Sequence, residues 1–113
     1  MSPLPPLLAC PTEAFGKPVC RLGLASRGGG ELSAHDVLCA VERGVNFLNW
    51  PGEADSPGGP DAVSNAVAAL GSRREEVVVC VQFGARDATD AAAELRSILA
   101  TLRTDYVDVL TFY

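Results

Sequence analysis

Val77-Val78-Val79-Cys80-Val81-Gln82-Phe83 is an almost unbroken run of β-branched and apolar residues. A run of this kind reads as a strand covered on both faces, the habit of parallel sheets. The segments beside it have helical period. Before it, Val63, Ala66, Val67 and Leu70 recur at i, i+3, i+4 and i+7; after it, Leu95, Ile98, Leu99 and Leu102 form one stripe. A covered strand between two amphipathic helices needs crossover connections, so the chain is expected to build βαβ units.

The alternation extends in both directions. Val19–Ser26 has a strand pattern, with Leu22–Ala25 as its core part. Its early part can pair, as a hairpin, with the segment before the turn at Phe15-Gly16-Lys17-Pro18. Ser33 is a good helix cap with Asp36 in the first turn, and Val37, Leu38, Ala40 and Val41 supply an apolar face that ends at Gly44. A strand follows at 45–50. After a Pro- and Gly-rich loop at 51–60, helices are predicted at 61–70 and 90–103, the latter capped by Thr89 or Asp90. Arg73-Arg74-Glu75-Glu76 reads as a polar connection, and Tyr106–Tyr113 as a fourth strand. Right-handed crossovers make the sheet parallel. The pattern alone leaves two architectures open, an open doubly wound sheet and part of a (β/α)8 barrel.

Composition narrows function mainly by exclusion. With 113 residues, 48% hydrophobic and 20% charged, the chain is one globular domain. The net charge is −5, Lys17 is the single lysine, and the arginines are scattered apart from Arg73-Arg74, which argues against nucleic-acid binding. No apolar run is long enough to span a membrane. The stretch before Cys10 lacks basic residues and carries Pro3, Pro5 and Pro6, so it does not read as a signal peptide. Cys10, Cys20, Cys39 and Cys80 form no CxxC; they read as buried small hydrophobes in a reducing cytoplasm. Arg27-Gly28-Gly29-Gly30 lacks the spacing of a phosphate-binding loop and reads as a flexible connection.

Four stretches together resemble the aldo-keto reductases. Gly44-Val45-Asn46-Phe47-Leu48-Asn49 is similar to their G-(I/V)-N-x-(F/I)-D-T strand, and Arg74–Gln82 to their R-E-x-(V/L)-x-I-x-T-K strand. Leu95–Tyr113, with Ser97, Leu102 and Asp105-Tyr106-Val107-Asp108, looks like L-x-x-S-L-x-x-L-x-x-D-Y-(I/V)-D-L-x-x-x-H. Gly16 and Val19–Leu24 fit the family's opening. The resemblance implies an α/β fold, namely a partial (β/α)8 TIM barrel. It would comprise the first three βα units plus the fourth strand, preceded by an N-terminal hairpin. Residues 1–113 would be the N-terminal portion of an NADP-dependent oxidoreductase domain.

The family's catalytic tetrad does not carry over. Its aspartate position holds Asn49, its tyrosine position falls on Ala54, its lysine position holds Gln82 and its histidine position holds Tyr113. A phenol of ordinary pKa, about 10, is a poor acid near neutrality without a cation beside it. Lys17 and Tyr106 are expected at the opposite end of the sheet, and Arg86 is the nearest substitute cation to Tyr113. Asn49 and Gln82 are neutral amides able to bond each other at the sheet's C-terminal edge. The cofactor is NADP only by resemblance, and the 113-residue chain is not expected to bind it. The expectation is therefore a pseudoenzyme or binding scaffold, with self-association through open strand edges. Two alternatives stay open. One is a working NADP-dependent oxidoreductase in a full-length form using Tyr113, Glu53 or Asp55. The other is a small non-enzymatic α/β interaction module.

Overall fold

A computed structural model describes the backbone of residues 9–12 and, with side chains, residues 15–26, 32–52 and 60–112. The elements are β1 (Ala9–Thr12), β2 (Lys17–Cys20), β3 (Gly23–Ala25), α1 (Ala34–Glu42), β4 (Phe47–Trp50), α2 (Ala62–Ala69), β5 (Val78–Phe83), α3 (Ala88–Leu102) and β6 (Val109–Phe112). β1 and β2 form an antiparallel hairpin around the Phe15-Gly16 turn. The other four strands form one parallel sheet in the order β3-β4-β5-β6. Every connection in this sheet therefore leads to the neighbouring strand. The α/β class with a parallel sheet, expected from the alternating periods, is what the chain adopts.

The helices share one side of the sheet. Val37 and Val41 of α1, Val63, Ala66 and Val67 of α2, and Ile98 and Leu102 of α3 join Leu48 and Trp50 of β4 and Val79, Val81 and Phe83 of β5 in a single buried cluster. Strand residues alternate between faces, so Asn49, Val78, Cys80 and Gln82 lie on the face away from the helices. Val78 and Cys80 are buried there as well, so β5 is covered on both faces, as its unbroken apolar run requires.

Helix ends follow local chemistry. Ser33 caps α1 and exchanges hydrogen bonds with Asp36 in a capping box. At the other end Gly44 (φ 101) donates to Val41 and Val45 donates to Ala40, a pattern that uses the left-handed glycine to satisfy the last carbonyls. Asp61 caps α2. The cap of α3 is Asp87, not Thr89 or Asp90: its carboxylate accepts from the Asp90 N–H at 2.9 Å, so the helix begins two residues earlier than expected. Backbone hydrogen bonds hold the Asp36 and Asp87 carboxyls below their ordinary pKa, the donors being Ser33 and Asp90. With the folded pKa depressed, each contributes stability above the unfolded aspartate range, and that contribution is lost as pH falls through the folded value.

One expectation is refined and one corrected. Residues 71–76, which include the expected polar connection, form a 3-10 turn in which Arg74 is buried. Its guanidinium finds carbonyl and carboxylate partners across the chain, which offsets the desolvation that a lone buried charge would suffer. Cys39 is exposed on α1, within 3.5 Å of His35, whereas Cys20 and Cys80 are buried as read from the sequence. The face of α1 that carries Val37 and Val41 turns Cys39 outward. Residues 27–31 and the side chain of Cys10 lie outside the described residues.

One buried amide helps tie the hairpin to the sheet. Asn46 is 4% exposed; its Oδ1 accepts from the Cys20 N–H at 2.8 Å, and its Nδ2 donates to the carbonyls of Pro18 and Glu76 at 2.8 and 3.1 Å. From the approach to β4, Asn46 thus joins β2 to the approach to β5. Replacing Asn46 strands three backbone groups in the interior. We expect Asn46→Ala to lower unfolding free energy by about 2 kcal/mol or more. Near-isosteric Asn46→Asp should also destabilise, because it turns a donor toward two carbonyls into an acceptor. Chemical denaturation of both variants checks this, and wild-type midpoints would refute the role of the amide.

Candidate functional site

In a parallel α/β sheet the C-terminal strand ends are where ligands meet the fold. Pairing sets which residues share a level there. Ala25 lies opposite Asn49, Asn49 opposite Cys80 and Cys80 opposite Val109. Gln82 lies one pleat higher, opposite Thr111. Asn49 and Gln82 thus share the face away from the helices and sit on adjacent strands, but at successive levels. Both are half-buried. Of the expected direct or water-bridged hydrogen bond between their amides, the direct form is absent among the described residues. The offset of two residues in register separates the side chains that a level pairing would have brought together.

The rest of this surface is small and neutral. Thr111 donates to the Val81 carbonyl at 3.1 Å. Burial pushes the Cys80 thiol above its ordinary pKa, and the hydrogen bond with Thr111 pulls the other way; the thiol form is favoured, which makes Cys80 a weak nucleophile. The ladder continues past β3, where the Ser26 N–H donates to the Asn49 carbonyl at 3.3 Å, and the buried Ser26 hydroxyl has no partner among the described residues. Pro51 and Gly52 are buried at the end of β4. Gly52 has φ +84, and a Cβ there would lie 2.8 Å from the Gln82 carbonyl oxygen. Only glycine lets the outgoing loop pass this close to β5. Ala54, Glu53, Asp55 and Tyr113 lie outside the described residues, so their places at the mouth are not assigned. Arg86 follows β5 and is exposed.

A charged network that includes the single lysine lies at the opposite end. Asp108, just before β6, receives the Val79 N–H at 2.8 Å, the Arg74 guanidinium at 3.0 Å and the Lys17 ammonium at 3.4 Å. Lys17 also donates to the carbonyls of Glu75 and Val77 at 3.0 and 2.7 Å. Arg74 donates to Thr104, Val77 and Tyr106, and its guanidinium stands 4.0 Å over the Tyr106 ring. Tyr106 therefore belongs to the N-terminal end, as expected, although the strand itself starts only at Val109. An open cleft of about 510 Å³ beside Arg74, Leu99, Arg103 and Tyr106 also lies at this end, away from Asn49 and Gln82.

The motif residues Arg74 and Asp108 were visible in sequence, but their partnership with Lys17 was not. The signal was a charged residue beside each strand start; the contacts span up to 91 residues of chain. Among the described residues, His, Cys, Asp and Glu side chains form no group of three that could hold a metal ion, and no helix is long and apolar enough to cross a membrane. The chain matches no protein-family model, no curated protein and no solved structure.

The placement of Asn49 and Gln82 on one face has a measurable consequence. Gln82→Lys alone puts an unpaired cation on a half-buried surface and should lower stability. Adding Asn49→Asp supplies a diagonal partner and should recover part of the loss, with a coupling of about 0.2–1 kcal/mol. Strict additivity in a double-mutant cycle would show that the two positions do not interact.

Proposed function

We propose that this chain is the first half of an aldo-keto-reductase-like (β/α)8 barrel whose mouth is not built for carbonyl reduction, and that it acts as a pseudoenzyme or binding scaffold. Sequential parallel strands, helices on one side and an N-terminal hairpin packed against the strand starts support the barrel. The observation that carries the functional half is the place of Lys17. Reduction by the family's route needs a cation beside the proton-donating phenol. The single lysine is bound instead to Asp108 and two carbonyls at the strand starts. Gln82 lies five residues along β5 from Val77, about 16 Å at about 3.3 Å per residue. Lys17 does not serve the mouth from there.

Asn49, Gln82, Cys80 and Thr111 make the described inner face at the mouth uncharged; the charged groups just beyond β5 are Arg86 and Glu94, whose carboxylate accepts from the Gly84 and Ala85 N–H groups. The inner-face groups can hydrogen-bond a neutral polar ligand, but they do not fit the family's hydride-transfer site, where an aspartate–lysine pair tunes the donor. Both charges of that pair are replaced by amides, so neither is left buried alone, a condition that costs several kcal/mol. This arrangement is self-consistent without catalysis.

The experiment is NADPH oxidation followed by absorbance over a panel of aldehydes and ketones. No rate above background is expected, since loss of a general acid alone removes about 10²–10⁴-fold. Oxidation that scales with protein concentration and disappears in Tyr113→Phe would overturn the proposal, because Tyr113 would then be the proton donor.

A further inference from the structure

His35 and Cys39 sit one turn apart on α1, and the core uses neither. Val37 and Val41 of the same helix point into the buried cluster. At about 100° per residue, Cys39 lies about 160° around the helix from both. His35 lies beside Cys39 on that outer face, and both are exposed. The flanks are what neighbouring segments touch: Leu38 packs on the core cluster, and Glu42 pairs with Arg73 beyond α2. Helices laid side by side over a sheet meet flank to flank. Chain that extends the sheet at either edge would meet α1 on a flank and not on this face.

The pair has the geometry of a metal clamp. Cys39 Sγ and His35 Nε2 are 3.5 Å apart. A zinc ion about 2.0 Å from nitrogen and about 2.3 Å from sulfur, at the tetrahedral angle, sets its two ligand atoms about 3.5 Å apart. The two atoms thus already stand at the bite of the ion, and i, i+4 spacing on a helix holds them there. Among the described residues each is the other's only hydrogen-bond partner. The carboxylates beside them on the helix are engaged elsewhere, Asp36 in the Ser33 capping box and Glu42 with Arg73. The clamp therefore has two protein ligands, in keeping with the absence of any group of three among the described residues.

We propose that His35 and Cys39 form a two-ligand site for a thiophilic divalent ion of the zinc kind, carried on the outer face of α1. Binding joins the imidazole nitrogen and the thiolate sulfur to the ion, and the thiol proton passes to solvent. Imidazole with thiolate is a donor set that selects such ions over calcium or magnesium. Water fills the remaining tetrahedral positions. The ion spans the first two turns of α1 and staples the helix start that Ser33 caps. The site is separate from the mouth and does not rest on the proposed function.

The test uses the reduced chain in a Cys10→Ser background, where Cys20 and Cys80 are buried and Cys39 is exposed. Titration calorimetry with zinc chloride should give one ion per chain. Cadmium chloride should give a thiolate-to-metal charge-transfer absorption that excess zinc displaces and that Cys39→Ser abolishes. Cys39→Ser and His35→Gln should each weaken zinc by at least the about 10–100-fold that loss of an outer-shell partner costs. Zinc should raise the melting temperature of the parent and not that of either variant. His35→Cys with Cys39→His keeps the i, i+4 bite and should retain binding. Far-ultraviolet circular dichroism checks that these outer-face variants fold. Zinc affinity unchanged in either single variant, or no cadmium band in the parent, would overturn the site. Half an ion per chain in a zinc-linked dimer would overturn its two-ligand geometry.

Discussion

Asp108 is the carboxylate on which the base of the sheet depends. It ties β6 to β5 by accepting the Val79 N–H while its own N–H donates to the Val79 carbonyl at 3.0 Å. It also gathers the two cations that bring in the hairpin and the turn before β5. Asp108 and Arg74 are each 8% exposed at the side chain. At such burial, removal of one partner leaves a stranded charge and costs about 3–5 kcal/mol. Asn46 repeats the principle with neutral groups, one side chain satisfying two backbone groups of β2 and one of the turn before β5. The helix side is held by non-directional apolar burial. The strand starts are held by directed polar contacts.

This division sets what each end of the sheet can do. Cations committed to Asp108 and to backbone carbonyls are structural, and their energy is spent on joining segments distant in sequence. The inner face at the opposite end carries amides, a hydroxyl and a thiol whose pKa burial raises, with the Glu94 carboxylate tied to the Gly84 and Ala85 N–H groups and Arg86 just beyond β5. The inner-face groups can orient and recognise; they have no charge with which to stabilise a developing phenolate. The commitment of the single lysine to the base, away from the mouth, is the physical ground for proposing a scaffold.

Elements built from local periodicity were legible in the sequence. The apolar stripes of α2 and α3, the Ser33 cap and the β-branched run of β5 each depend on neighbours within a few residues, and each forms where expected. The cap of α3 was less legible because Asp87, Thr89 and Asp90 are all competent caps within one turn. The burial of Arg74 within the polar connection was not legible, because its partners Thr104 and Tyr106 lie about 30 positions away. The shared face of Asn49 and Gln82 follows from alternation alone. Their difference in level follows from inter-strand register, which no single strand encodes.

The most direct test is peptide-resolved amine labelling of Lys17 in the native chain, with and without denaturant. Its side chain is 14% exposed and its ammonium faces Asp108 and two carbonyls. Lys17 should resist labelling until the protein unfolds, with modification tracking the unfolding transition, and NADPH should make no difference. Rapid labelling in the absence of denaturant, or specific protection of Lys17 by NADPH, would place the lysine at a working site and contradict its structural role.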